Sequence, residues 1–227
     1  MKFIIKLVAV MSVAVLSGCA TVDYVTKEEA FPNMYATKTT SILVVPAVNN
    51  TTAAEAADYY ATTISEPLTH AGYYVLPIEL TTKLIQEQGV VDGAQLLNTD
   101  PGVFNQLYGA DAVLFVTINE WDTSYYVIGG NVTVGIGYVM KSTATGNVLW
   151  QYNDRLVIDT GGDSGGGLIG AIISTAINTA LTDYVPVAKR VNYMAISSLP
   201  VGSYHKLHGQ DRQTKAVNKD KVQTVQE

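Results

Sequence analysis

Ser164 sits in Gly-Asp-Ser-Gly-Gly, residues 162–166, the local pattern around the nucleophile of chymotrypsin-like serine proteases. That chemistry needs a histidine base earlier in the chain, an aspartate to orient it, and two β-barrels to hold the set. The only upstream histidine is His70, near the end of a predicted helix rather than in a loop beside a strand, and Gly167 stands where the motif expects proline. Residues 165–170 also fit GxGxxG, which cradles a dinucleotide only where it joins a parallel strand to its crossover helix. Here the preceding strand closes an antiparallel meander and no strand follows the helix. A serine hydrolase using Ser164 therefore stands only as a remote alternative. The stretch reads instead as a glycine-rich turn in which Asp163 or Ser164 caps a helix starting near Gly166, with the glycines allowing close packing or pairing.

The remaining polar residues offer little chemistry. His205 and His208 have His-x-x-His spacing but lie in a polar C-terminal stretch, where a structural metal site is not expected. Glu28 with Glu29, and Glu120 with Asp122 on one face of a strand, read as solvated carboxylates. No catalytic, cofactor-binding or metal-binding residue is assigned, and no cofactor is expected.

Cys19 does commit to a chemistry. Lys2 and Lys6 precede an apolar run over residues 7–16, which reads as a secretory signal over 1–18 and is too short to span a bilayer, since a spanning helix needs about 20 apolar residues. Leu16-Ser17-Gly18-Cys19 closes that run and looks like a bacterial lipobox, in which the chain is cut immediately before the cysteine and the cysteine thiol takes a diacylglyceryl group. Cys19 is the chain's one cysteine, so no disulfide or thiolate chemistry remains for the body. Two or more acyl chains anchor stably where one binds only marginally. Ala20 in place of an aspartate implies sorting to the outer membrane by family-level logic, with the body facing the periplasm. Removal of the signal leaves 12 basic against 20 acidic residues, a formal charge of −8. Such a surface excludes nucleic acid as a natural partner.

The elements that must carry any site follow from periodicity. Residues 19–40 are polar without an apolar period and read as the lipidated N-terminus and a flexible tether, and 204–227 as a disordered tail with too little apolar surface to offset chain entropy. One globular domain is expected over 41–203. Residues 42–48 form a continuous apolar run, the signature of a strand buried on both faces, with Pro46 placing it near an edge or a bulge. A helix over 53–70 presents Ala57, Tyr60, Ala61, Ile64 and Leu68 on one side, ending at Gly72. A second strand over 73–77 and a second helix over 78–88 complete a β-α-β-α opening, which implies neighbouring parallel strands. A short helix spans 103–108. Strands over 112–123, 124–128, 131–142 and 148–159 then make an antiparallel meander with one buried face. A long C-terminal helix begins near 168 and continues to about 198, with a break predicted at Pro186.

Five separated segments (41–50, 71–77, 109–118, 145–150 and 166–171) together with the lipobox resemble the bacterial lipoprotein family that includes the genome-derived neisserial antigen. The resemblance covers roughly residues 19–199. It implies a mixed α/β, single three-layer domain similar to the amino-terminal domain of TolB, a dimeric tendency, and an association with a curli-secretion-like lipoprotein. The family brings no established activity and therefore no catalytic residues. The expected function is a lipid-anchored, non-enzymatic module binding envelope proteins in a secretion or surface-assembly complex. The alternative expectation is an activator of a cell-wall (peptidoglycan) synthase.

Overall fold

The apolar run at residue 42 becomes the spine of the molecule. In the computed structural model, which describes residues 24–126, 129–159 and 185–218, β2 (Ser41–Val44) pairs in parallel with β4 (Tyr74–Val75) on one side and β5 (Ala112–Tyr126) on the other. Its residues alternate between two cores. Ile42 and Val44 enter the larger one, and Leu43 with Val45 the smaller one on the opposite face. Strand β2 is thus buried on both faces, as its sequence requires, and it is internal to the sheet, between β4 and β5. Of the two roles expected for Pro46, the break in the ladder is the one adopted: Val44 pairs with Leu114, whereas Val48 of β3 (Val48–Asn49) pairs with Thr117. Four residues on one strand therefore match three on its partner, and the residue that cannot donate falls in the interruption.

Helices cover both faces, giving three layers. On the larger core lie α3 (Ala56–His70), whose buried side chains include Tyr60, Ile64 and Leu68, and α6 (Val185–Ser198), which buries Val187, Val191 and Ala195. Gly72, at φ +89°, follows α3 and turns the chain back into β4. On the smaller core lie α4 (Ile78–Glu87), a 3₁₀ turn (Gly93–Leu96) and α5 (Pro101–Tyr108), contributing Ile85, Leu96 and Phe104. Pro186 is the second residue of the described part of α6; the expected helical residues before 185, and with them the break expected at Pro186, lie outside the described region.

Strand β5 pairs antiparallel with β6 (Gly129–Ser142), and β6 with β7 (Val148–Asp159). The two strands expected between residues 112 and 128 are one continuous β5. A bulge at Asn119 shifts the register, so Ile118 and Trp121 both reach the larger core although three residues apart. A second irregularity, opposite Met140 and Lys141, lets Leu149 and Trp150 both enter it. Val132, Val134, Ile136, Tyr138 and Met140 form the buried row of β6, and Gly135 and Gly137 fall on the other face beside Glu120 and Asn153.

Both expected floppy ends are corrected by the structure. Residues 24–40 form β1 (Tyr24–Thr26), α1 (Lys27–Ala30) and α2 (Pro32–Ala36), and 204–218 are ordered through β8 (Lys215–Asn218), which pairs antiparallel with β1. The few apolar residues of the N-terminal stretch are well placed: Phe31 and Met34 are buried in the larger core, with Phe31 against Trp150 at a ring separation of 6.5 Å. Hydrogen bonds supply the rest. The Asn33 side chain donates to the Val148 carbonyl at 2.9 Å, and Thr26 and Glu29 close a capping box at the start of α1.

Candidate functional site

Cys19 and the whole glycine-rich stretch with Ser164 lie outside the described residues, so neither the anchor nor the serine loop is placed. The other residues singled out in the sequence are placed, and they are scattered. His70 ends α3, where its Nδ1 lies 3.0 Å from the Tyr193 hydroxyl; Tyr193 also donates to Glu66, which pairs with Lys189 at 2.6 Å. Those two donors hold the exposed Glu66 carboxyl below its ordinary pKa. Glu120 accepts two bonds from Arg155 Nε, at 2.7 and 2.9 Å. Glu29 serves the cap, and the Thr26 backbone and hydroxyl keep its carboxyl low. His205 and His208 sit in ordered turns, with His208 Nδ1 2.9 Å from the Val201 carbonyl. Among the described residues no group of three or more His, Cys, Asp or Glu is arranged to hold a metal ion.

What the fold does bring together was not legible as a motif. Lys27 in α1 and Asp211 near the C-terminus form an ion pair at 3.4 Å with side chains only 9% and 6% exposed. Lys27 Nζ also donates to the Leu199 carbonyl at 2.6 Å. Asp211 accepts from the Val201 backbone N–H at 2.9 Å and from the Tyr35 hydroxyl at 3.1 Å. Burial pulls the Lys27 ammonium below its ordinary pKa, partly offset by Asp211, and burial, with Asp211 adding to it, pushes the Tyr35 phenol upward. Outside this pair, Arg212 binds Glu28 and lies over the Tyr35 ring at 4.5 Å. The C-terminal segment is therefore fastened both to the N-terminal segment and to the loop after α6.

Beside this clasp is a hollow of about 340 Å³ between residues 34–39 and 200–212. Another, of about 370 Å³, opens beyond the C-terminal end of β2 between α3 and α4, the side of a parallel sheet where α/β folds commonly seat ligands. The helices of the smaller core leave apolar side chains in solvent: Leu80 and Leu84 one turn apart on α4, and Val103 and Leu107 one turn apart on α5, between 37% and 56% exposed. No helix among the described residues is long and apolar enough to cross a membrane.

The wider likeness fits this arrangement of sheet and helices. The family model described as "Putative lipoprotein GNA1162-like" matches residues 30–205, and the chain belongs to that lipoprotein family. It is similar to a lipoprotein of Neisseria meningitidis serogroup B (NMB1124/NMB1162), 30% identical over 128 residues, a match that covers 56% of each chain. The crystal structure of lipoprotein GNA1162 from Neisseria meningitidis superposes with a TM-score of 0.50 at 29% identity, covering 63% of this chain and 99% of that one. A looser likeness joins the C-terminal domain of LpoB from Salmonella enterica, with a TM-score of 0.38 at 16% identity over 58% of this chain and 95% of that one.

Proposed function

We propose that this chain is a lipid-anchored, non-enzymatic binding module of the cell envelope, held at the outer membrane by acylated Cys19 and docking a second envelope protein on the outer surface of α4 and α5. Membership in a lipoprotein family supports the anchor, and β1 begins only five residues after Cys19. At about 3.5 Å per extended residue that leader holds the folded body near the bilayer, so its partner is another envelope-resident protein. In keeping with the family resemblance, we place it in a secretion or surface-assembly complex of the curli-type kind.

The observation that carries this reading is the pair of leucine rows. Leu80 and Leu84 on α4, and Val103 and Leu107 on α5, are large apolar side chains left exposed on the two helices that cover the smaller core, and large exposed apolar surface marks an interaction site. Glu79 and Glu87 on α4 flank Lys83, the mix of apolar centre and polar rim that non-obligate interfaces use. The partner accordingly presents an apolar face of its own.

The test is site-specific photo-cross-linking from position 84 in intact cells, with Leu107→Lys as the control. The expected result is one adduct with a second envelope protein, identified by mass spectrometry and lost in Leu107→Lys. Adducts restricted to the chain itself, or unchanged by Leu107→Lys, would contradict the reading. Recovery of a cell-wall synthase as that adduct would replace the secretion setting with synthase activation.

A further inference from the structure

Charge is divided unevenly along the chain. Residues 41–203 carry 5 basic against 14 acidic residues, whereas 204–227 carry 5 against 3: Lys206, Arg212, Lys215, Lys219 and Lys221 against Asp211, Asp220 and Glu227. One of those three acids is withdrawn from the surface, because Asp211 is buried against Lys27. An acidic body therefore carries one cationic segment, and the fold fixes where its described part lies. Strand β8 pairs antiparallel with β1, and the backbone N–H groups of Lys27 and Glu28 donate to the Thr214 and Arg212 carbonyls at 2.9 and 3.1 Å. The cationic segment is thus laid along the first described strand, which begins five residues after Cys19.

A second observation concerns the side chains themselves. Lys215 Nζ lies 5.1 Å over the centre of the Tyr24 ring, and Tyr24 remains 53% exposed. Tyr204 and Leu207, near Lys206 in the same segment, are 71% and 45% exposed. Exposed tyrosine with lysine is the composition that a membrane–water interface favours, since the ring sits at headgroup level while the ammonium reaches water and phosphate.

From the charge division, the pairing of β8 on β1 and the short span to Cys19, we infer that the β1–β8 ribbon, with the lysines that follow it, docks on an anionic phospholipid surface. The geometry rests on the anchor proposed at Cys19. Five residues reach at most about 18 Å when extended, so acyl chains in the bilayer bring Tyr24 and Lys215 within range of the headgroups. Basic residues close to an anionic leaflet are attracted to it, and the same leaflet repels the carboxylate-rich body. The contact therefore sets which way the body faces, and it does not depend on the leucine rows.

The experiment uses the full mature chain carrying Cys19→Ser, which bears no acyl group, so its outcome is independent of whether Cys19 is acylated. Flotation with phosphatidylglycerol or phosphatidylcholine vesicles at low ionic strength is the readout. The expected result is binding to phosphatidylglycerol and none to phosphatidylcholine, reversed by about 0.5 M salt. Joint Lys215→Glu, Lys219→Glu and Lys221→Glu should weaken binding about tenfold or more while melting with the wild type, since none of the three belongs to the Lys27–Asp211 clasp. A second arm needs no charge reversal: in the acylated wild-type chain, an amine-reactive reagent should label Lys215 several-fold more slowly in phosphatidylglycerol than in phosphatidylcholine vesicles, and Lys83 of α4 equally in both. Absence of binding to phosphatidylglycerol, equal binding to the two lipids, a triple variant that binds like wild type, or equal labelling of Lys215 in both vesicles overturns the inference. Binding to purified cell-wall sacculi in place of vesicles also overturns it, in favour of the wall polymer.

Discussion

Lys27 and Asp211, at opposite ends of the described chain, meet at 3.4 Å in a site where both side chains are more than nine-tenths buried. The pair joins the N-terminal segment to the C-terminal segment, and through Leu199 and Val201 to the end of α6. A buried ion pair is weak evidence for net stability, because desolvation consumes most of the attraction, but losing one partner strands the other charge. Asp211→Ala should therefore destabilise the fold by about 3–5 kcal/mol, measured by urea unfolding. Joint replacement by Lys27→Met and Asp211→Leu should cost clearly less than either single change.

Truncation after Tyr204 removes Asp211, Arg212 and β8 together. The polar composition of that tail suggests it contributes nothing, yet its docking predicts a loss of about 3 kcal/mol or more, since Lys27 is left buried without its carboxylate. A thermal melt of the truncated chain matching the full chain would show that the clasp is energetically idle.

Between α3, α6 and β6 a buried chain of hydrogen bonds runs from the Tyr138 hydroxyl to Asn192 at 2.6 Å and from the Asn192 amide to Thr63 at 2.8 Å. Asn192→Leu keeps similar bulk but leaves the Tyr138 hydroxyl and Thr63 without that partner, and should cost about 1–3 kcal/mol. Equilibrium denaturation checks this, and the loss should shrink when Tyr138→Phe is added.

Alkaline pH should unfold the protein through its phenols. Burial raises the pKa values of Tyr60 and Tyr138 well above the ordinary 10.0, and those of Tyr35 and Tyr73 as well. A group whose folded pKa lies above its unfolded value contributes fully below the unfolded pKa and loses that contribution as pH rises toward the folded one. Stability should hold up to about pH 10 and fall beyond it. Spectrophotometric titration should show these phenols ionising only together with unfolding, and their ionisation in a still-folded chain would contradict their burial.

Gly93 and Gly202 each have backbone where a Cβ would go: the Pro46 carbonyl oxygen for Gly93 and the Gly72 carbonyl oxygen for Gly202. Backbone cannot swing aside as a side-chain tip can, so Gly202→Ala should destabilise by roughly 1–3 kcal/mol or more. Gly137→Ala meets only the Asn153 side-chain oxygen and should be far milder in the same melt.

How much of this could be read in the sequence depended on how local the cause was. Strand β2, helix α3 with Tyr60, Ile64 and Leu68 inward, α4, and the meander with its alternating row from Val132 to Met140 follow from periodicity and turn residues, because each is fixed by neighbours in the chain. The bulge at Asn119 was not legible, since a register shift shows only once Ile118 and Trp121 meet the same core. The ends were misread for the same reason: Phe31 and Met34 are too few to make a period, and Lys27 is a solvated charge until Asp211 is found beside it. The hollow beside the Lys27–Asp211 clasp draws its lining from segments far apart in sequence, so no spacing announces it. The lipidation proposed for Cys19 rests on a wholly local signal, an apolar run closed by Leu-Ser-Gly-Cys.

Where the body sits, and so which partner its leucine rows can meet, rests on acylation at Cys19. The most direct measurement is metabolic labelling with radioactive palmitate followed by isolation of the chain from membranes, for wild type and Cys19→Ser. The account predicts label on the wild type and none on the variant, which should leave the outer-membrane fraction. Palmitate retained on Cys19→Ser, or an unlabelled wild type, would contradict it.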